Sequence, residues 1–245
     1  MFSTFYHAVF FDPVFNLLIG LYDVTGKDIG VAIILLTVAV KLVLWPLSAS
    51  ALRSQKALAD IQPKLAELKK KYAGKEQQEE LAKAMMALYS AEKVNPATSC
   101  LPVLIQLPVF IALYGSLSDS LKSGGFEYLY AFVPRPELIH PTLFGLIDLS
   151  HPSIPLALLA GATQYVQARM MVTRQQPKGT PGAKDEEMLA SMNKQMMYMM
   201  PVLTVVLGWK LPGGLALYWF VMNLLTVVQQ YFFFKKAKTA ALAKA

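Results

Sequence analysis

Lys41 sits three positions from the centre of an apolar run over residues 29–47, and no other charge occurs between residues 29 and 50. A lysine at that depth in a membrane-spanning helix costs about 2.5–3.5 kcal/mol even on insertion-based scales, so it needs a partner or water. Two arrangements meet that need. The side chain can extend along the helix and bring its ammonium to the polar interface, or it can face a wet cavity inside a helical bundle. Thr37, one turn earlier on the same face, favours the cavity.

Other apolar runs carry matching polar positions. Trp219, Asn223, Thr226 and Gln230 fall on one face of a helix, and Ser99 and Gln106 share a face of another. Any one of these residues can serve simply as an interhelical hydrogen bond; three stripes together with a lysine favour a polar groove. All 16 Asp and Glu lie outside the apolar runs, so Lys41 has no carboxylate partner within them. A proton or sodium relay of the usual carboxylate kind is therefore lacking, which disfavours a coupled transporter. The partner left for Lys41 is water, or an acidic group arriving from outside. No nucleophile–base set, metal motif or phosphate loop occurs, and His7, His140 and His151 all fall near one face, so neither an enzyme nor a cofactor is expected.

The elements that position these residues follow from composition. Of 245 residues 55% are hydrophobic and 16% charged, with a mean hydropathy of +0.40, which points to membrane spans rather than one large soluble core. The apolar runs predict an all-α polytopic membrane protein with five transmembrane helices around a hydrophilic groove. Residues 1–28 read as an outer interfacial helix, opened by Asp12 and Pro13 and striped by Val14, Leu17, Leu18 and Leu21. The expected spans are residues 29–52, 94–121, 149–168, 195–210 and 211–234. The fourth contains a 15-residue apolar run, about 22 Å of helix against a hydrocarbon core of roughly 30 Å. Pro212, Gly213 and Gly214 mark a tight turn before the fifth.

Between the spans, residues 53–93 read as a charged cytoplasmic helical hairpin, from Ile61, Leu65, Leu68 and Tyr72 on one arm and Leu81, Met85 and Leu88 on the other. Residues 122–148 form an outer loop, 169–194 a cytoplasmic loop with a mobile Pro/Gly stretch at 175–187, and 235–245 a basic cytoplasmic tail. The three cytoplasmic pieces hold nine, five and four Lys/Arg, for a net charge of +9 against −3 on the other side. Positive charge in short loops stays inside, so the chain is expected N-out and C-in. The basic tail reads first as such an anchor and second as a contact for ribosomal RNA or anionic lipid. Met188, Met192, Met196, Met197, Met199 and Met200 read first as packing at the bundle's cytoplasmic mouth and second as an adaptable patch for hydrophobic segments. Cys100 is the single cysteine, so no internal disulfide forms, and no Lys or Arg precedes Lys27, which is unlike a cleavable signal peptide.

Four groups of residues resemble one family. They are Val40-Lys41-Leu42-Val43-Leu44-Trp45-Pro46-Leu47 with Ile61-Gln62-Pro63-Lys64; Met85-Met86-Ala87-Leu88-Tyr89 with Lys93-Val94-Asn95-Pro96; Leu104-Ile105-Gln106-Leu107-Pro108-Val109-Phe110; and Pro212-Gly213-Gly214-Leu215-Ala216-Leu217-Tyr218-Trp219 with Asn223-Leu224 and Gln229-Gln230. Over nearly its whole length the chain resembles the YidC insertases, bacterial relatives of the mitochondrial Oxa and chloroplast Alb proteins. The resemblance implies five helices enclosing a groove open to cytosol and lipid and closed outward, in which a basic residue captures the translocating part of a substrate. That residue is Lys41 here, where the family usually has arginine; lysine keeps the charge and loses the planar fork. Thr37, Gln106 and Trp219 fall on groove-lining positions, with Tyr218 and Asn223 beside them. A short member is expected, without the additional N-terminal span, large periplasmic domain or long basic tail of some relatives. The implied partners are nascent membrane proteins, the lipid bilayer, the ribosome, the signal recognition particle and its receptor, and the Sec translocon, with the protein acting as a monomer in the bacterial inner (cytoplasmic) membrane. The rival functions are a folding and assembly chaperone beside the translocon and, on another principle, a channel or transporter.

Overall fold

The computed structural model of the chain describes residues 2–72, 77–95, 101–120, 126–172 and 197–242. Its helices are α1 (Phe2–Tyr6), α2 (Asp12–Val24), α3 (Ile29–Val43), α4 (Trp45–Asp60), α5 (Gln62–Lys71), α6 (Gln78–Ala91), α7 (Leu101–Ser120), α8 (Ile154–Val172), α9 (Met197–Gly208) and α10 (Gly213–Leu242). The mobile stretch expected at 175–187, Ser99, Cys100, and Met188, Met192 and Met196 lie outside the described residues.

A π-turn over His7–Phe11 joins α1 and α2, so the helix does not begin at Asp12 as its N-cap chemistry suggests. Pro13 has no N–H to donate, and the Asp12 N–H reaches back five residues to the His7 carbonyl, absorbing the irregularity without ending the helix. The rod Ser3–Val24 is consequently long and apolar enough to cross a membrane, a property the expectation of an outer interfacial helix over residues 1–28 did not include. Gly26 and Lys27, both with positive φ, turn the chain. Asp28 then caps α3 by accepting the Val31 N–H at 2.9 Å.

The expected first span, residues 29–52, is not one straight helix. α3 ends at Val43, and α4 leaves it at 64°. The cause is Pro46, whose ring excludes the carbonyl four residues back and which provides no ladder donor, while suiting the first turn of a new helix. Pro63 separates α5 from α4 in the same way. α5 and α6 then pack against each other around buried Ile61, Leu65 and Val94, with Met85, Leu88 and Tyr89 alongside.

α10 gathers the bundle, packing against α8, α3 and α7. It runs on past Phe234 to Leu242, so much of the expected tail is helical. The main core joins Phe15, Leu18, Ile19 and Tyr22 of α2 to Ile33 and Leu36 of α3, Leu113 and Leu117 of α7, and Leu215 and Tyr218 of α10. Close approach matters more than apolar area where lipid is as apolar as leucine. Gly161 of α8 shows this: a Cβ there would lie 2.5 Å from a Val205 methyl and 3.1 Å from the Pro201 carbonyl oxygen of α9.

One element departs from the all-α expectation. Thr142–Leu143 (β1) and Ile147–Asp148 (β2) pair antiparallel across a turn formed by Phe144, Gly145 and Leu146. This hairpin is seated on two helix beginnings: Leu143 covers Gly30 of α3, and the carbonyls of His151 and Leu149 accept the Gly213 and Gly214 N–H groups of α10 at 2.9 and 3.1 Å. Among the described residues, Ser3–Val24 and Gly213–Lys235 have the length and apolarity of a span, and the bent pair α3–α4 makes a third if counted as one; Gln106–Ser118 and α9 are apolar but shorter.

Candidate functional site

Lys41 is buried on α3, and its ammonium donates to the Thr226 hydroxyl of α10 at 2.9 Å. Thr226 in turn donates its proton to the Met222 carbonyl at 2.8 Å. A hydroxyl has one proton, so this back-bond leaves its lone pairs for Lys41. Among the described residues no carboxylate lies within ion-pair distance of the ammonium. The lysine is thus held by a neutral group, which positions it without cancelling its charge.

Thr37 is fully buried and donates to the Ile33 carbonyl of its own helix at 2.6 Å. Gln106 of α7 donates to the Tyr218 hydroxyl of α10. Trp219 stacks on Phe110, ring centroids 4.9 Å apart and planes within 7°. Asn223 turns to the other side of α10 and donates to the Ala160 carbonyl of α8 at 3.2 Å. Five of the six expected site residues divide among three seams around α10, Lys41 at α3, Gln106, Tyr218 and Trp219 at α7, and Asn223 at α8, while Thr37 bonds within its own helix. Spacing on α10 announces a polar face; it does not say that the face meets several neighbours.

Thr226, named in the polar stripe and not singled out from it, is the residue that meets Lys41. One turn further, Gln230 is buried with its carbonyl oxygen unpaired, as are both side-chain polar atoms of Gln229 and the carbonyl oxygen of Gln167 on α8. Buried amides without protein partners cost free energy unless water or a ligand supplies the bond. Gln230 extends the polar character of this face of α10 beyond Thr226.

The loop at 126–148 is tied to α2 by residues that periodicity could not flag. Asn16 of α2 donates to the Tyr128 carbonyl at 2.8 Å and accepts the Tyr130 N–H at 2.6 Å. The Tyr22 hydroxyl accepts the His140 N–H at 2.9 Å and donates to the Leu138 carbonyl at 3.2 Å. In the loop, Asp148 accepts from Ser150 and His151, and these bonds hold its carboxyl down to about 2.

A bent helical bundle of apolar rods with one buried, unneutralised lysine defines an integral membrane protein with a charged interior position. The comparisons give its family. The family described as 60Kd inner membrane protein matches residues 20–240, and the chain belongs to that family. It is 35% identical over 227 residues to the membrane protein insertase YidC of Lawsonia intracellularis, covering 92% of this chain and 38% of that protein. It is 34% identical over 236 residues to the insertase YidC of Geobacter sulfurreducens, covering 95% and 38% respectively, and 32% identical over 209 residues to that of Fusobacterium nucleatum, covering 85% and 87%. The chain thus spans under two fifths of the first two relatives and most of the third. Among solved structures it is similar to one described as an active YidC insertase crystal structure with the first transmembrane domain resolved, at 27% identity and a TM-score of 0.60, covering 93% of this chain and 46% of that one.

Proposed function

We propose that this chain is a membrane protein insertase that receives a segment of a nascent membrane protein at the seam between α3 and α10 and releases it into the bilayer. The observation that carries this is the Lys41 ammonium, buried and held by Thr226 with no counter-charge among the described residues. An acidic or polar outward-going tail can displace the neutral hydroxyl and pair with the lysine, which lowers the cost of carrying that tail partway across. The membrane potential adds roughly 2.3 kcal/mol per charge per 100 mV.

Sideways release is supported by the apolar residues that α3, the bend and α10 leave uncovered, namely Leu42, Val43 and Trp45 on one side and Leu224, Val228 and Phe232 on the other. A client segment passing between these faces exchanges water for lipid at about 25 cal/mol per Å2 of apolar area. Outward closure is supported by Asn16, Tyr22 and Asp28, each of which makes at least one bond to the loop at 128–144. Those bonds and the contact of Phe11 with Gly115, near the end of α7, support a placement of the N-terminal rod across the outer ends of the bundle. Five spans, an N-out and C-in orientation from the basic loops, and a cytoplasmic position for the α5–α6 hairpin complete the proposal. Nascent chains are the proposed clients, with ribosome, signal recognition particle, its receptor and the Sec translocon as proposed partners.

Crosslinking from positions 41, 106 and 219 to a ribosome-stalled nascent chain tests this reading. Crosslinks formed without translocon support insertion; crosslinks that require it support the alternative of an assembly chaperone. Solute flux in the absence of any client would support a channel instead.

A further inference from the structure

The β1–β2 hairpin carries an apolar tip that none of the described residues covers. Phe144 is 68% and Leu146 86% exposed, and residues 141–147 contain no charge. The tip is not loose chain. The Phe144 N–H donates to Asp28 Oδ2 at 2.6 Å, the Leu149 N–H donates to the Pro141 carbonyl at 2.6 Å, and the Leu146 N–H to the Leu143 carbonyl at 3.0 Å. Asp28 binds the tip with one carboxylate oxygen and caps α3 with the other.

The backbone adds a second observation. Phe144 and Gly145 have φ of +54° and +68°, the left-handed pair that Asn-Gly fits with least strain. A bulky side chain at positive φ is an outlier. In water, asparagine would suit both the conformation and the exposure. Phenylalanine here is disfavoured by its backbone and gains little burial among the described residues, which points to an apolar medium around it.

The hairpin's tethers say which medium. It is fixed to the first residues of α3 and α10, and if these helices span, as in the function proposed above, their first residues lie where hydrocarbon gives way to headgroups. We propose that Phe144 and Leu146 form a membrane-surface anchor, a rigid β-tip inserted into the boundary between lipid headgroups and acyl chains at the end of the bundle opposite the Lys41–Thr226 seam. The partner is the lipid surface, and aromatic and aliphatic side chains at that depth are suited to it.

The test is spin-label accessibility of the full chain in proteoliposomes of phosphatidylethanolamine and phosphatidylglycerol. Cys100→Ser is combined with Leu146→Cys, and Glu137→Cys in the same loop provides an exposed reference. A label at 146 is expected to collide with oxygen severalfold more, relative to a water-soluble nickel chelate, than the label at 137. Adding Phe144→Asn, which relaxes the turn while removing the ring, is expected to raise nickel access at 146. Equal nickel access at 146 and 137 overturns the anchor, and so does protection of 146 from both reagents, which would mean a protein cover such as a second copy. Insertion of a single-span client is measured in the same vesicles, so failure of the anchor is separable from failure of the insertase reading.

Discussion

The Lys41 ammonium donates to the Thr226 hydroxyl at 2.9 Å, and that hydroxyl's own proton is committed to the Met222 carbonyl. A threonine on another helix therefore holds a buried charge for which the described residues supply no counter-charge. Removing the hydroxyl leaves a buried cation without its bond. Thr226→Val is expected to cost about 1.5–3 kcal/mol, and Thr226→Ser to recover most of that. The double variant Thr226→Val with Lys41→Met is expected to be more stable than Thr226→Val alone, because no unpaired charge remains. Thermal unfolding in detergent of the four proteins of this cycle measures the coupling. A coupling near zero would mean the pair is incidental.

Two glycines separate packing from propensity. At Gly161 an added Cβ meets a Val205 methyl at 2.5 Å and the Pro201 carbonyl oxygen at 3.1 Å, whereas at Gly20 nothing lies within 4 Å. Gly161→Ala is expected to destabilise by about 1–3 kcal/mol through overpacking of α8 against α9. Gly20→Ala is expected to stabilise by about 0.5–1 kcal/mol through helix propensity. Melting temperatures of the two variants should move in opposite directions.

Much of the helical skeleton was legible. Ile61, Leu65, Met85 and Leu88 meet in the α5–α6 pair as their spacing requires, and the Gly26 break falls in a turn, whereas the turn before α10 ends at Pro212, and Gly213 and Gly214 open the helix. Lys41 was legible because a charge in an apolar run has few explanations. The bend at Leu44 was not, since a proline that starts a helix and one that kinks a span present the same local signal. The β-hairpin was missed because two-residue strands are too short to show alternation and Phe144 stands where a turn prefers asparagine. The partition of the α10 stripe among α3, α7 and α8 is a property of neighbours, which periodicity along one helix does not contain.

Asp148 supplies a pH signature outside the membrane. Bonds from the Ser150 hydroxyl, the His151 ring and the Ser150 N–H lower its carboxyl to about 2. Its folded value lies below the ordinary value near 3.9, so its stabilisation is present above that ordinary value and is lost as pH falls from about 4 through 2. Because the carboxylate is half exposed, solvent screening limits the contribution to below about 1 kcal/mol. Asp148→Asn is expected to lower stability slightly at pH 6 and to flatten the acid limb between pH 4 and 2. Thermal unfolding of both proteins across that range measures the difference, and identical acid limbs would contradict the assignment.

The most direct test of the central claim is insertion of single-span clients by the purified protein in liposomes, comparing wild type with Lys41→Glu on several clients that carry either an acidic or an uncharged outward-going tail. The account predicts that Lys41→Glu lowers insertion of the acidic-tailed clients by about tenfold or more, equivalent to at least about 1.4 kcal/mol, while uncharged-tailed clients change far less. Equal insertion of all clients by both proteins, or no insertion by the wild type, would contradict it.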